Sequence, residues 1–440
     1  MGKEIKNDAD VLIIGAGASG MAAAITAASA GKRVILIEGS KEPGKKILAT
    51  GNGRCNLTNE KVSPAAYHTD DPRCLQKILE AYPTDKVISF FENMGLEVHD
   101  RNGYYYPLSD QSQTVLKILK TRLAELPVKI VSDKVCEGVA SLQGKFMAHT
   151  YDQDYYGKRL ILCCGSRAGG YWKHRVDGYE LAKSFSHQVT DLYPALMKWN
   201  VDPGKEDWAS LKGIRINGGV RVPAGSLKEY RPELEGTETV RDPKGLSFTG
   251  ELQFTADGIS GIPVFQAGGA VAASLDGGLK EDVTAYLDLL PVISDEELEI
   301  KQYAITRMGR FLALGIKPED LTPERFFGGI WNKKILTFLC VRAGISETEA
   351  FGVDAEEKAE KILKLSKALK IRIVSTAGIH EAQVCRGGVL LSEVDEHMES
   401  RRVKGLYLCG EMLNVDGICG GYNLHFAFAS GINAGEHAVC

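Results

Sequence analysis

A chain of 440 residues with 25% charged and 44% apolar residues has a globular composition, which excludes a disordered, collagen-like or coiled-coil protein. At roughly 150 residues per unit the length suggests about three folding units, although large α/β folds also run longer as one. A balance of 53 basic against 57 acidic residues, net −4, excludes a nucleic-acid binder that is basic over its whole surface and leaves any patch to be judged locally.

Residues 10 to 38 carry the densest pattern. Asp10 to Ile14 is a short apolar run of the kind found in buried parallel strands, and Gly15-Ala16-Gly17-Ala18-Ser19-Gly20 follows it without a gap. A helix of small residues is expected from Ser19 to Ala30, ended by Gly31, and Arg33 to Ile37 reads as a second strand closing on Glu38. Gly15 permits the turn out of the strand, Gly17 lets backbone approach a pyrophosphate, and Gly20 allows close helix–sheet packing. Glu38, 18 residues after Gly20, sits where a carboxylate accepts hydrogen bonds from ribose hydroxyls. This is a βαβ dinucleotide-binding unit. The uncharged stretch Val11 to Gly31 has the length of a membrane span, but its glycines and small residues break the hydropathy and no signal-peptide n-region precedes it. The chain is therefore expected to be soluble and cytoplasmic, without membrane association.

The next segment, Pro43 to Asn59, is a polar, glycine-studded loop whose backbone amides and Arg54 suit a phosphate-bearing cofactor. Residues 73–96 and 111–126 read as amphipathic helices, with Tyr104-Tyr105-Tyr106-Pro107 between them as a short strand or loop. Val128 to Val131, the run near Val135 and Arg159 to Cys164 read as further sheet strands. From 191 to 275 short strands punctuated by glycine and proline suggest an inserted β-rich unit, and 295–345 is mostly helical in pattern. Gly405 to Glu411 returns to strand-then-glycine, and Asn423 to Glu436 forms a last helix. The fold class expected is α/β: a Rossmann-like dinucleotide-binding domain with an inserted β-rich domain and a small helical domain. The boundaries are 1–190 plus 375–440 for the first, 191–290 plus 346–374 for the second and 291–345 for the third.

The ten cysteines contain no C-x-x-C pair, so no metal site is expected, and most read as buried thiols; a vicinal disulfide at Cys163-Cys164 is disfavoured because both sit in an apolar run. No second G-x-G-x-x-G follows residue 20. Only one dinucleotide has a dedicated seat, so a reacting nicotinamide would bind transiently or use a site with no readable fingerprint.

The fingerprint with Glu38, the stretch Gly44-Lys45-Lys46 through Gly51-Asn52-Gly53-Arg54-Cys55-Asn56-Leu57-Thr58-Asn59, the segments Gly250 to Thr255 and Gly258 to Gly261, and the closing Gly410-Glu411, Asp416-Gly417 and Gly420-Gly421-Tyr422-Asn423 together resemble the YhiN/BaiN/RdsA family of bacterial FAD-dependent oxidoreductases, of the glutathione-reductase-like superfamily. The resemblance implies non-covalent FAD in a three-layer ββα domain, with Val135 near the adenine and the Gly387-Gly388 and Gly420–Asn423 loops flanking the isoalloxazine. Motif and resemblance outline a cofactor set of Gly15, Ala16, Gly17, Ala18, Ser19, Gly20, Glu38, Gly39, Lys46, Thr50, Gly51, Gly53, Arg54, Cys55, Asn56, Val135, Cys164, Gly165, Gly388, Gly410, Glu411, Asp416, Gly420, Gly421, Tyr422, Asn423 and Leu424. A loop that opens a helix at Tyr422 and Asn423 offers amide donors where negative charge develops on flavin reduction. Three departures bear on the substrate: Gly103-Tyr104-Tyr105-Tyr106-Pro107 replaces the usual Gly-Arg-x-Phe-Pro, Asn414 stands where aspartate is common, and Gln383-Val384-Cys385-Arg386 leads into Gly387-Gly388.

The family resemblance implies three chemistries. The leading expectation is reduction of a carbonyl-conjugated C=C bond of a cyclic substrate with electrons from NAD(P)H; the alternatives are uracil C5=C6 reduction in ribosomal RNA and oxygen-dependent aminoketone oxidation. A non-catalytic flavin-binding protein is the remaining option. Candidate acids are Tyr106, with its neighbours Tyr104 and Tyr105, and His380; Arg386 is placed to polarise a carbonyl. The partner expected is a small molecule, with ribosomal RNA as the alternative, and the oligomeric state has no signal. The RNA alternative draws on residues 301–342, where eight cations (Lys301, Arg307, Arg310, Lys317, Arg325, Lys333, Lys334, Arg342) face three anions and are interleaved with Phe311, Phe326, Phe327 and Trp331.

Overall fold

The computed structural model describes residues 6–170, 177–204, 207–227, 244–276 and 281–439, and these divide into two compact units. The first comprises the described residues up to Ala195 and from Gly378 onward, and the second those from Leu196 to Ala377. Among the described residues no helix is long and apolar enough to cross a membrane, and no group of side chains could hold a metal ion.

The first unit is built on a seven-stranded sheet. Strand Asp8–Ile14 lies between Val34–Ile37 and Asp154–Leu162, both parallel to it, with Val11 opposite Val34 on one side and Arg159 on the other. Val128–Val131 extends the sheet beyond Val34–Ile37, and Leu406–Leu408 pairs parallel with Leu160–Leu162, which brings the C-terminal segment back onto the N-terminal fold. Lys145–Thr150 and Cys136–Leu142 add an antiparallel edge. The central strands are apolar on both faces because helices cover them. Helix Ala18–Ser29 packs against the last helix, Tyr422–His437, at a distance that only small residues allow. A Cβ on Gly431 would fall 2.2 Å from the Ser19 carbonyl oxygen, and one on Gly435 would fall 2.7 Å from that of Ala23.

Two expectations are corrected in this unit, and one alternative is resolved. The helix expected over 73–96 is two helices, Pro72–Ala81 and Thr84–Glu92, because Pro83 supplies no N–H and restricts Tyr82 before it. The polar loop after Gly44 coils into a 3₁₀ helix, Lys45–Gly53. Tyr104–Pro107 is a strand, paired with Val98–Arg101 on one side and with Thr58–Asn59 on the other.

The second unit is a closed barrel, in the order Trp199–Val201, Gly258–Gly261, Gly245–Phe254, Arg215–Pro223, Val283–Asp288 and Leu369–Thr376. The run of short strands expected to reach 275 ends at Gly261. Gly261 turns the chain at φ +115, Pro263 sits in the first helical turn, and the Ala-rich run that follows forms helix Ile262–Leu275. Helices Glu297–Leu312, Pro323–Phe327, Lys333–Ala343 and Ala355–Lys367 belong to the same unit. Phe326, Phe327, Trp331 and Leu336 share one hydrophobic cluster with Trp208, Val220 and Phe254, so 291–345 has no core of its own.

Candidate functional site

Everything that gathers around the fingerprint lies in the first unit. Gly15 is forced: a Cβ there would meet the Cys163 carbonyl oxygen at 2.3 Å, and on Gly20 it would meet the Gly15 oxygen at 1.8 Å. Gly17 differs, because nothing among the described residues lies within 4 Å of a Cβ built on it. It is the N-cap of helix Ala18–Ser29, which has no side-chain cap, and the first intrahelical bond is the one from Met21 N to Gly17 O. The amides of Ala18, Ser19 and Gly20 thus precede the helical ladder beside open space, a ready seat for a pyrophosphate.

Glu38 is held in place. Its Oε2 accepts from Ala16 N at 2.7 Å and its Oε1 from Ser40 N at 2.8 Å, leaving each oxygen a second lone pair for a ribose hydroxyl. Gly39 lies between these contacts. Val135 is half-buried on the loop that docks here, through Lys134 N to Glu38 O and Asp133 N to Ser40 O, both 3.0 Å.

Around the other end of the fingerprint the 3₁₀ helix is tied back by Gly44 N to Ala16 O at 2.8 Å. Lys46 Nζ bonds Glu411 Oε2 at 2.6 Å, while Glu411 Oε1 is buried with no partner among the described residues. Gly410 lies against the Ser19 side chain. Thr50 Oγ1 donates to Ile47 O, Cys55 N bonds Thr50 O, and the Cys55 thiol is buried and pushed up to about 12 by that burial. It is an inert packing thiol. Arg54 is exposed at the end of the same turn, close to Gly53. Cys164 is a free thiol whose Sγ lies 3.7 Å from Ile14 O, and burial raises it well above the ordinary value; Cys163 is free as well, and Gly165 continues the turn at φ +71. Cys440 lies outside the described residues.

The two most specific motifs meet. Asn59 Nδ2 donates to Gly420 O at 2.9 Å, and Gly421 has no room for a Cβ, which would lie 2.7 Å from Thr58 O and 2.8 Å from Asn56 Oδ1. That Asn56 oxygen is buried without a partner among the described residues. Asn423 clamps Gly417, with Nδ2 to O at 2.7 Å and N to Oδ1 at 2.8 Å, and Tyr67 OH donates to Tyr422 O at 2.8 Å. The Asn423 side-chain amide is therefore committed to the fold. The donors left at this helix start are backbone amides, since the helix has no side-chain cap and its ladder begins with His425 N to Gly421 O. Leu424 is half-buried against the core.

Of the catalytic candidates, Tyr104 and Tyr106 share a strand face, one near Gly420 and the other near Gly51. Burial raises the Tyr106 phenol above its ordinary value, with Tyr104 and Asp110 adding and Arg101 and Arg54 opposing, so it stays protonated. His380 is exposed on the loop after Leu369–Thr376, where its backbone packs near Gly170. Arg386 is held by Asp416, with Nε 3.5 Å from Oδ2, just before the loop in which Gly388 N donates to Thr190 Oγ1 at 3.0 Å. Asn414 donates to Asp70 Oδ1 at 3.0 Å, a place where an aspartate would set two carboxylates face to face. Sequence reasoning missed His68, whose ring lies 3.2 Å from Asp416; the clustering of His68, Thr69 and Asp70 after an aromatic residue was its only local mark.

The aromatic part of the RNA expectation is corrected. Phe326, Phe327 and Trp331 are core residues, and Phe311 packs against them. Lys301 and Lys333 pair with Glu356 and Glu324, and Arg307 and Arg342 bond backbone carbonyls.

The chain matches the HI0933-like protein Rossmann domain over residues 9–437. It belongs to that family. A relative from Clostridium scindens named 3-dehydro-bile acid delta(4,6)-reductase is 35% identical over 430 residues, covering 97% of this chain and 98% of its own. Relatives named ribosomal RNA dihydrouridine synthase are 25% identical in Haemophilus influenzae, over 95% of this chain and 96% of theirs, and 26% identical in Escherichia coli, over 96% of each.

Proposed function

We propose that this family member is an FAD-dependent oxidoreductase that reduces a carbonyl-conjugated C=C bond of a cyclic organic substrate, with electrons from transiently bound NAD(P)H. The observation that carries the reading is the near full-length similarity to the bile acid reductase, joined to a single dinucleotide cradle of fitting chemistry. The cradle offers an uncapped helix start at open Gly17, a braced Glu38, and buried oxygens of Asn56 and Glu411 without partners among the described residues. Gly17 to Gly20 would hold the pyrophosphate, Glu38 the ribose, and the 420–423 amides the electron-rich edge of the ring. When bound, the flavin supplies a hydride at N5. Arg386 orients a substrate oxygen, and protonated Tyr106 is a donor near Gly51.

A second reading, uracil reduction in ribosomal RNA, uses the same chemistry and has one structural point in its favour. Arg310, Lys317, Arg325 and Lys334 are exposed and have no ion-pair partner among the described residues.

The test is an anaerobic titration of the purified yellow protein. NADH or NADPH should bleach it and a cyclic conjugated ketone should restore the colour. A bleached protein that no conjugated ketone reoxidises defeats the reading, and rapid reoxidation by oxygen after bleaching with an aminoketone would replace it with an oxidase. Binding to ribosomal RNA fragments that weakens steeply with salt would favour the second reading.

A further inference from the structure

Strand Val415–Gly417 runs antiparallel to Tyr67–Thr69, and the register sets Asp416 directly opposite His68. Directly opposed residues of antiparallel strands lie on the same face. His68 Nδ1 is 3.2 Å from Asp416 Oδ1, and Arg386 Nε is 3.5 Å from Oδ2. The three side chains are 19%, 8% and 12% exposed. Three ionisable groups so far from water are a costly way to close a short β-bridge that apolar residues would close more cheaply, so their retention points to use. Their position agrees with that. Arg386 immediately precedes Gly387-Gly388, and Asp416 immediately precedes Gly417, the residue Asn423 clamps at the start of the last helix. Burial pushes the Asp416 carboxyl up, but Arg386 and His68 more than offset this and hold it below its ordinary value. His68 Nδ1 is buried and, among the described residues, has no nearer polar neighbour than this carboxylate, which favours a proton on that nitrogen and leaves Nε2 as the ring nitrogen not turned to Asp416.

We infer that His68, oriented by Asp416, supplies the proton in the double-bond reduction, an assignment that rests on the function proposed above. The β-carbon takes a hydride, and with it two electrons, from the reduced cofactor, whose own electrons come from a reduced nicotinamide. The α-carbon takes the Nε2 proton, the C=C π bond is lost, and the imidazolium becomes a neutral imidazole that regains its proton from water. Asp416 is a positioning residue that holds the ring and, with its second oxygen, Arg386.

The experiment uses holoprotein reduced anaerobically with dithionite, then mixed in deuterated water with cyclohex-2-enone. Wild type should place deuterium on one face of the α-carbon. His68→Gln should slow flavin reoxidation about 100-fold or more and scramble that face, because water replaces the positioned donor. Asp416→Asn should slow it as well, with partial recovery in Asp416→Glu. A His68→Gln protein that reoxidises at the wild-type rate with the same facial selectivity overturns the inference. If no conjugated ketone reoxidises even wild type, the functional reading fails instead, and ¹⁵N-histidine spectra of the folded protein decide the ring's orientation on their own. A proton on Nδ1 of His68 that moves in Asp416→Asn sustains the positioning, and a bare Nδ1 in wild type overturns it.

Discussion

Asn59 donates its side-chain amide to the carbonyl oxygen of Gly420 across a separation of 361 residues. This bond joins the last helix start to the N-terminal motif, alongside Tyr67 OH to Tyr422 O and Thr58 Oγ1 to His425 Nδ1. Removing the donor by Asn59→Ala leaves the fold its core but frees the 420–421 turn. The expected result is protein that purifies with normal secondary structure and a flavin content several-fold below wild type, read from the ratio of visible to ultraviolet absorbance.

Gly421 tests the same seam by crowding rather than by loss. Its φ of +95 and the Thr58 and Asn56 oxygens within 3 Å of a new Cβ make Gly421→Ala strained and overpacked at once. A destabilisation of about 1–3 kcal/mol is expected, measured by chemical denaturation, together with loss of bound flavin. A variant that retains both would mean the turn is looser than its contacts imply.

What could be seen in the chain beforehand was what is local. The strand, glycine turn, helix and second strand of residues 10–38 are contiguous, so each element predicts the next, and Glu38 follows from their spacing. The stretch 54–59 and the turn 420–423 were legible as motifs, but their contact was not, since pairing across the chain leaves no periodicity. The same holds for His68 and Asp416, which only the strand register brings together. Residues 262–275 misled because glycines within a helix look like strand punctuation until the close approach of Gly268 to Met197 explains them. Phe326 and Phe327 misled in the opposite way: cations beside aromatics resemble a stacking platform, yet the rings face inward and only the charges reach solvent.

That difference predicts what Phe326→Ala does. The ring is fully buried and packs edge-on against Phe327 and Phe351, so truncation should cost about 3–5 kcal/mol of stability. Any loss of RNA affinity should follow unfolding rather than precede it. Charge reversal at exposed Arg310 and Lys317 should leave stability within about 0.5 kcal/mol and would change binding only if the ligand is anionic.

His425 gives stability a defined dependence on acid. The ring is fully buried with Nδ1 2.8 Å from Thr58 Oγ1, and burial lowers it from 6.5 to about 4. Between these values the unfolded chain carries a proton that the folded chain refuses, so acid favours unfolding. The full contribution is present above pH 6.5 and is lost progressively as the pH falls to 4, a swing of about 3 kcal/mol. His187, also lowered by burial, acts in the same direction. Denaturation curves at pH 7 and pH 5 should show wild type weakening, and His425→Gln should flatten that slope; an unchanged slope would assign the acid sensitivity elsewhere.

The strongest separation of fold from cofactor lies between two glycines three residues apart in the fingerprint, Gly17 and Gly20. A methyl on Gly20 would overlap the Gly15 carbonyl at 1.8 Å, so Gly20→Ala must displace the helix from the strand and is expected to cost about 3 kcal/mol with or without flavin. A methyl on Gly17 meets nothing among the described residues within 4 Å, and φ of −81 suits any residue. Gly17→Ala should therefore leave the apoprotein as stable as wild type, within about 0.5 kcal/mol, or make it slightly more so. The space it fills is where the pyrophosphate would approach the backbone, so the same variant should lose flavin binding by an order of magnitude or more, measured by titrating apoprotein with FAD. Equal flavin affinity in Gly17→Ala and wild type would show that the open space above the helix start is not the phosphate seat.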